Sequence, residues 1–503
     1  MAGRKLPDPE EIAPLIRGSV SLDALKGAGI LPLREEEDRL VVALTSLDRF
    51  PFAQVLAASF GKEVVGELHS PQDMELRLNR LYDLRGGIGD ETVTAMIGID
   101  DGDDIFREDV QSDSVDVPVI KLVNGLLRES LKIRATDIHV EPCESEVLVR
   151  FRVDGVLHDR LRLPRNLQAP LTSRIKVMAR MDIAERFSPQ DGRIGITVGN
   201  RAVDIRVSSI PVQHGERLAL RLLDKGSGLL SLEELGMDAP SRETMDRLIQ
   251  NPHGLLLFTG PTGSGKTTTL YAILQALARP SVNIITVEDP IEYDLGGVGQ
   301  IQVNEKAGVT FPSALRSILR QDPDIIMIGE MRDYETAHIG VQASLTGHLV
   351  LSTLHTNDAI SAVVRLMDMG VEPYLAAGSL LGAVAQRLVR TVCPQCAEEN
   401  EPPPLFRREG LFSVVRGKGC DYCMGTGFRG RVGLYEQFLL DDDIREAVGQ
   451  NLPPSKIRAA ARAKGFRTLW ELGVDALREK KTSPEELLRV VSPEEFGPSG
   501  EDH

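Results

Sequence analysis

The sequence predicts a multidomain α/β protein. Three observations carry that prediction. Residues 251–274, NPHGLLLFTGPTGSGKTTTLYAIL, pass from an apolar run through a glycine-rich turn into a helix-like stretch. Residues 145–223 alternate polar and apolar positions in the manner of antiparallel hairpins. Between the N-terminal region and those hairpins lies an acidic, glycine-containing stretch that has little to bury.

The chain has 503 residues. At roughly 150 residues per domain, about three domains are expected. Its charge of −16 and its 4% aromatic content disfavour a nucleic-acid binder, which needs basic surface and stacking platforms. No apolar run reaches the roughly 18 residues of a membrane span, and the start, MAGRKLPDPEE, lacks a signal-peptide core. The expectation is a soluble, cytoplasmic protein whose membrane role works through a partner.

Residues 1–83 read as a small α/β domain. EEIAPLIRGSVSLDALKGAG, PFAQVLAASFG and SPQDMELRLNRLYDL are helix-like, with Ser70 a suitable N-cap. DRLVVALT and KEVVGEL are strand-like. Residues 84–115 carry nine acidic and two basic residues and read as a flexible linker. Residues 116–224 form a second α/β domain. PVIKLVNGLLRESLKIR is its helix, and hairpin turns fall at Asp154-Gly155 and Gly199-Asn200. Residues 225–238, with KGSG, read as a hinge linker. Residues 239–503 form the nucleotide domain, ending in a frayed tail.

The glycine-rich turn fits G-x-x-x-x-G-K-[ST]. Gly260, Pro261, Thr262, Gly263, Ser264, Gly265, Lys266, Thr267 and Thr268 would wrap a nucleotide's phosphates. Glycines let successive N–H groups face one point, and the following helix adds the positive end of its dipole. Lys266 would reach the β/γ-phosphates and Thr267 would ligate Mg²⁺. The bland alternative is a loop that merely turns; its strand–loop–helix context speaks against that.

DIIMIGE, Asp324 to Glu330, reads as a buried strand ending in a carboxylate, where doubly wound sheets bind ligands. Glu330 would face Mg²⁺; the alternative is a cap on the next helix. NIITVEDPIEY places Glu288, Asp289 and Glu292 after a similar run. ATP hydrolysis needs a carboxylate to orient water. Glu288 is the first choice and Glu292 the reserve; surface acids in a turn are the competing reading. TGHLVLSTLHTND puts His348 and His355 at the two ends of a strand-like run, where a histidine can sense the γ-phosphate or serve structure.

Cys393-x-x-Cys396 and Cys420-x-x-Cys423, 23 residues apart, suit a closed tetrahedral S₄ site for structural Zn²⁺ within residues 391–432. Four reduced thiols or a redox pair is the alternative. Cys143 has no assigned role.

Taken together, the phosphate loop, aspartate box (Glu288, Asp289, Glu292), Glu330 box and histidine box (His348, His355) resemble the secretion-ATPase and type IV pilus ATPase superfamily over residues 116–490. RLMDMGVEPYL, AQRLVRTVCPQC and SLTGHLVLSTLHTN are similar to the type II secretion ATPase (general-secretory-pathway E) family in particular. The resemblance implies a RecA-like P-loop core preceded by a PAS-like α/β domain and a small N-terminal domain, with a zinc-binding insertion. It implies an ATPase that hydrolyses ATP to drive pseudopilus assembly and protein export. It also implies a homo-oligomer, expected to be a hexamer, held on the inner membrane by a partner. Residues 1–83 would dock the cytoplasmic domain of an inner-membrane secretion protein, and a platform protein would be a second partner.

Arg206 in VDIRVSS and Arg221 in LALRLL resemble arginines that close over the phosphates; a solvated strand face is the alternative. Arg316, Arg320 and Arg332 would reach phosphate or a neighbouring subunit. Competing functions are a type IV pilus extension ATPase, a DNA-translocation or conjugation ATPase, and a non-hydrolysing ATP-binding scaffold.

Overall fold

The computed structural model describes residues 28–71 apart from 37, then 117–198, 201–224 and 230–493, with isolated positions 6, 7, 12, 15, 16, 25, 73, 74, 77 and 78. The acidic linker 84–115, the turn at Gly199-Asn200, most of the helix-like stretch 10–29 and the end of the chain lie outside the described residues, as do positions 225–229 of the hinge. Two compact units are present, Met1–Ser227 and Gly228–His503.

Near the N-terminus, β1 (Ile30–Glu35), β2 (Arg39–Leu44) and β3 (Glu63–Leu68) form one sheet in that order. The pair β1–β2 is antiparallel and β2–β3 parallel, with α1 (Phe50–Ser59) as the crossover. β2 is buried over five of its six residues, and apolar side chains from β1 and α1 pack on it. β1 has no counterpart in the sequence reading. Pro32 and the acidic run after Arg34 hide a strand whose first four residues are buried. Ser70 does cap: its Oγ accepts the Asp73 N–H at 3.1 Å.

Residues 135–224 of the same unit contribute a six-stranded antiparallel sheet. Its strands are β4 (Ala135–Pro142), β5 (Glu146–Val153), β6 (Val156–Pro164), β7 (Gln190–Val198), β8 (Arg201–Val212) and β9 (Gly215–Asp224). The spatial order is β6-β5-β4-β9-β8-β7. Its buried face carries Ile138, Val140, Val149, Phe151, Ile205, Val207, Leu218 and Leu220. α2 (Val117–Lys132) and α3 (Gln168–Met178) cover that face. Period-two alternation therefore sends the intervening charged residues to the other face. The β5–β6 hairpin turns at Asp154-Gly155, both with positive φ, as a two-residue turn of that twist requires.

The larger unit is built on a seven-stranded sheet. Its strands are β10 (Gly254–Thr259), β11 (Ile284–Glu288), β12 (Gly299–Gln302), β13 (Ile325–Ile328), β14 (Leu349–Leu354), β15 (Leu380–Val392) and β18 (Phe428–Leu439). The order is β12-β11-β13-β14-β10-β15-β18, parallel except for the β15–β18 edge. β10, β13 and β14 are buried along their whole length, because helices cover both faces of a parallel sheet. β14 lies between the phosphate-loop strand and the strand that leads to Glu330, which is the RecA-like arrangement. The 13-residue β15 and its partner β18 were not foreseen as strands. Between them, β16 (Ala397–Asn400) and β17 (Val414–Gly417) form a small antiparallel ribbon.

Candidate nucleotide site and cysteine centre

Parallel register sets the site. Thr259 is paired with Leu354, and Ile328 with Ser352 and Val287. The residues that follow these positions therefore share one edge: Gly260, His355, Glu288 and Glu330. His348 precedes the six-residue β14 and lies at the opposite edge, roughly 20 Å away at about 3.3 Å per residue. Its Nδ1 is 2.8 Å from the Ala343 carbonyl oxygen. The histidine box thus splits, and only His355 stands with the phosphate loop.

The loop bends through glycines. Gly260, Gly263 and Gly265 all have positive φ, and a Cβ on Gly260 would lie 2.6 Å from the Gln386 carbonyl oxygen. The turn leads into α4 (Lys266–Leu277). Lys266 is 8% exposed and donates to the carbonyls of Gly260 at 2.7 Å and Pro261 at 3.2 Å. Burial pushes its ammonium down to about 8, helped by the nearby Arg387 and opposed by Glu330. The Ser264 hydroxyl is buried with no hydrogen-bond partner among the described residues. A Cβ on Gly263 would meet nothing within 4 Å. An unpartnered donor, a strained glycine loop and a desolvated cation are what a phosphate chain would satisfy.

Glu330 follows β13. One oxygen is 2.6 Å from Arg332 and the other 3.7 Å from His355 Nε2. Thr267 is exposed at the first turn of α4. A hydroxyl and a carboxylate are hard oxygen donors, so the pair fits Mg²⁺. Arg316 pairs with Glu335, and Arg320 donates to the Arg316 carbonyl at 2.6 Å.

Glu288 is 3% exposed and its oxygens are both engaged. One accepts from the Tyr271 hydroxyl; the other accepts from Thr286 Oγ1 at 2.6 Å and Gln300 Nε2 at 3.0 Å. Burial, with the Glu288 carboxylate beside it, holds the Tyr271 phenol well above its usual range. The Glu292 N–H in turn donates to Tyr271 Oη at 3.1 Å. Glu288 thus supports the turn that carries Glu292, which is only partly buried. Sequence reasoning missed Tyr271 and Gln300, and no local pattern marks them.

Arg206 and Arg221 belong to the other compact unit. They are directly opposite each other on β8 and β9, and Arg193 on β7 is opposite Arg206. Asp137 on β4 continues the row beyond Arg221, with Arg152 on β5 after it. Arg221 Nε is 3.2 Å from Asp137 Oδ1. Like charges directly opposite on neighbouring strands are destabilising, so three guanidiniums in a row is a costly arrangement. Arg193 was not singled out from the sequence; its register with Arg206 was the missing signal.

The four thiols of Cys393, Cys396, Cys420 and Cys423 lie within 4.8 Å of one another. Cys393–Cys420 and Cys396–Cys423 are 3.8 Å apart and Cys420–Cys423 is 3.7 Å. Sulfurs bound at about 2.3 Å to one tetrahedral ion would stand roughly 3.8 Å apart. Bonded sulfurs would be about 2.0 Å apart, so these are not disulfides. Although burial opposes it, N–H donors from Cys420 and Gly427 pull the Cys423 thiol down to about 7. A Cβ on Gly417 would fall 2.0 Å from the Gly427 oxygen, so the two arms meet backbone to backbone. The donor set and spacing fit Zn²⁺. The Cys143 thiol, by contrast, lies apart from this cluster, with a 3.9 Å contact to the Glu141 carbonyl oxygen.

The model of the type II/IV secretion system protein family matches residues 112–489. The Type II secretion system protein HxcR of Pseudomonas aeruginosa is 54% identical over 374 residues, 74% of this chain and 77% of that protein. The Type II secretion system ATPase E of Vibrio cholerae is 50% identical over 410 residues, covering 78% and 80%. Among solved structures, the pilus retraction motor PilT with bound ADP matches with a TM-score of 0.51 and 26% identity, covering 74% of this chain and 97% of PilT. No helix among the described residues is long and apolar enough to cross a membrane.

Proposed function

We propose, from the premise that this chain belongs to the type II/IV secretion system protein family, that it is the ATPase that drives pseudopilus assembly and protein export in a type II secretion system. The carrying observation is the meeting of Lys266, Glu330 and His355 at one edge of the parallel sheet, beside a phosphate loop with an unpartnered Ser264 hydroxyl.

In this reading the loop amides, Ser264 and Lys266 grip the β- and γ-phosphates. Thr267 and Glu330 hold Mg²⁺, which neutralises charge across the phosphate oxygens when bound. The water-orienting role passes from Glu288 to Glu292. A carboxylate whose oxygens already accept from Tyr271, Thr286 and Gln300 has little capacity left for water, whereas Glu292 sits on the turn those contacts stiffen. His355 reports on the γ-phosphate through Glu330. Arg206 and Arg221, joined by Arg193, close over the spreading charge of the transferring phosphoryl group. Residues 225–238 act as the hinge for that closure.

The cysteine centre holds structural Zn²⁺. Residues 1–83 dock the cytoplasmic domain of an inner-membrane secretion protein, and the working form is a hexamer that also engages a platform protein. The protein is therefore cytoplasmic and peripheral on the inner membrane. The direct test is phosphate release by the full chain and by Lys266→Ala, with and without that membrane partner. Hydrolysis that survives the substitution removes the assignment. Pull-down on residues 1–83 in native membranes separates secretion from pilus assembly.

A further inference from the structure

Glu436 is a carboxylate with 0% exposure, on β18. Isolated buried carboxylates are costly, and an apolar side chain of similar size is often tolerated better. Burial pushes this one up to about 7. Its two oxygens divide their work. Oε1 accepts the Ala359 N–H at 2.8 Å, and Oε2 accepts the Leu469 N–H at 2.9 Å. Ala359 is the first residue of α5 (Ala359–Asp368), and Leu469 the first of α6 (Leu469–Arg478). Each N–H is an orphan donor of a helix N-terminus, and the carboxylate complements both dipoles.

What these helices carry gives the contact its meaning. α5 begins where the loop of His355 ends. That loop is held at several points. Thr259, the last residue of the phosphate-loop strand, accepts the Thr356 N–H at 2.8 Å. Arg387, beside Lys266, donates to the Asn357 carbonyl at 2.8 Å. Arg458 reaches Asp358 at 3.3 Å. Glu436 fixes the far end. In register, Thr259 lies opposite Ala385 and Ala385 opposite Glu436, so Thr259 and Glu436 clamp the loop from one row of the sheet. α6 leads the other way. Trp470 stacks on Phe406 at 5.6 Å between centroids and donates Nε1–H to Glu409 at 3.1 Å. Phe406 and Glu409 lie in the segment between the two cysteine pairs.

We propose that Glu436 is a positioning residue for hydrolysis: a single carboxylate that fixes the His355 loop against the helix whose Trp470 packs on the segment between the cysteine pairs, so that His355 meets Glu330 in a set geometry. This rests on the ATPase reading above. Glu436 is fully buried and its two oxygens are taken by the amides of Ala359 and Leu469 rather than by the phosphate loop, so its loss acts on turnover and spares binding.

The test uses the full chain. Glu436→Gln keeps the shape but can accept from only one of the two amides. Glu436→Asp keeps the charge but is one methylene short, and serves if the first variant does not fold. Each is expected to lower kcat about tenfold, to keep affinity for a fluorescent ADP analogue within about twofold, and to retain bound zinc. Amide exchange is expected to rise in peptides spanning residues 355–361 and 469–472 and to stay unchanged over the phosphate loop. A folded variant with wild-type kcat overturns the proposal. So does a fall in ADP-analogue affinity that matches the fall in kcat, or unchanged exchange at both helix starts. If the wild-type chain itself releases no phosphate, the ATPase reading fails, while the exchange comparison still decides whether Glu436 holds the loop.

Discussion

The Tyr271 hydroxyl donates to the Glu288 carboxylate and accepts the Glu292 N–H, so one phenol ties together two of the three acidic residues of the aspartate box. The reading proposed above gives the two acids different jobs. Glu292→Gln is expected to lower kcat by at least about 100-fold, the scale of a lost general base, with nucleotide affinity and melting temperature near wild type. Glu288→Gln is expected to behave differently. It breaks a buried network and should cost about 1–3 kcal/mol of stability, read as a lower melting temperature. Turnover of the folded fraction should fall less than in Glu292→Gln. Thermal unfolding and single-turnover hydrolysis on both variants separate these outcomes. Wild-type hydrolysis by Glu292→Gln returns the role to Glu288.

The pH dependence follows from Lys266. Burial leaves its ammonium protonated only below about 8 in the empty site. Phosphate binding needs that proton, so kcat/KM should decline as pH rises through about 8, and this lysine adds no dependence below it. For stability the sign reverses. Between about 8 and the ordinary 10.5, the unfolded chain holds the proton that the fold has given up, so the lysine's contribution favours the fold as pH rises across that window. A kcat/KM profile from pH 6 to about 9.5, with Lys266→Arg as the variant that keeps its charge, checks the first part. A flat alkaline limb in wild type removes Lys266 as the titrating group.

How far the sequence carried this site depended on distance along the chain. Gly260 to Thr268 were legible because the loop's chemistry is local: glycine freedom, then a helix start. The cysteine quartet was legible because two knuckles with short spacing nearly determine their geometry. The network around Glu288 was not, because Tyr271 and Gln300 reach it only through the fold. His348 and His355 were read at the two ends of a strand-like run, and β14 does run between them, carrying them to opposite edges of the sheet. β1 and β15 were missed for opposite reasons. Pro32 and a charged flank disguised the first, and the second is an irregular mixture of apolar, glycine and basic residues separated by 35 residues from its partner β18.

Removing the cysteine centre should act locally. Cys396→Ser is expected to lose about one equivalent of zinc per chain, measured by emission spectrometry. Proteolytic cleavage should then rise first within residues 391–432, because metal binding and folding of such a module are coupled. The phosphate loop touches none of the four thiols, so nucleotide affinity should hold within a few-fold. A variant that retains full metal content rules out the tetrathiolate site.

The arginine row offers the sharpest contrast between structure and function. Arg193, Arg206 and Arg221 lie side by side on β7, β8 and β9, with Asp137 next to Arg221. If the row only solvated a strand face, thinning the like charges would relieve repulsion. Arg206→Gln would then raise the melting temperature slightly and leave hydrolysis unchanged. If the row exists to meet a phosphoryl group, the same substitution should keep or raise stability while lowering kcat roughly 10- to 1,000-fold, the range in which arginines that stabilise transferring phosphate act. Arg193→Gln should follow in the same direction with a smaller loss. Asp137→Asn should weaken turnover by releasing the Arg221 side chain that its carboxylate now holds at 3.2 Å. Melting curves run beside steady-state hydrolysis decide the matter: stability and turnover moving in opposite directions is the signature of a charge row kept for an anion, and turnover that ignores all three substitutions leaves the row as surface.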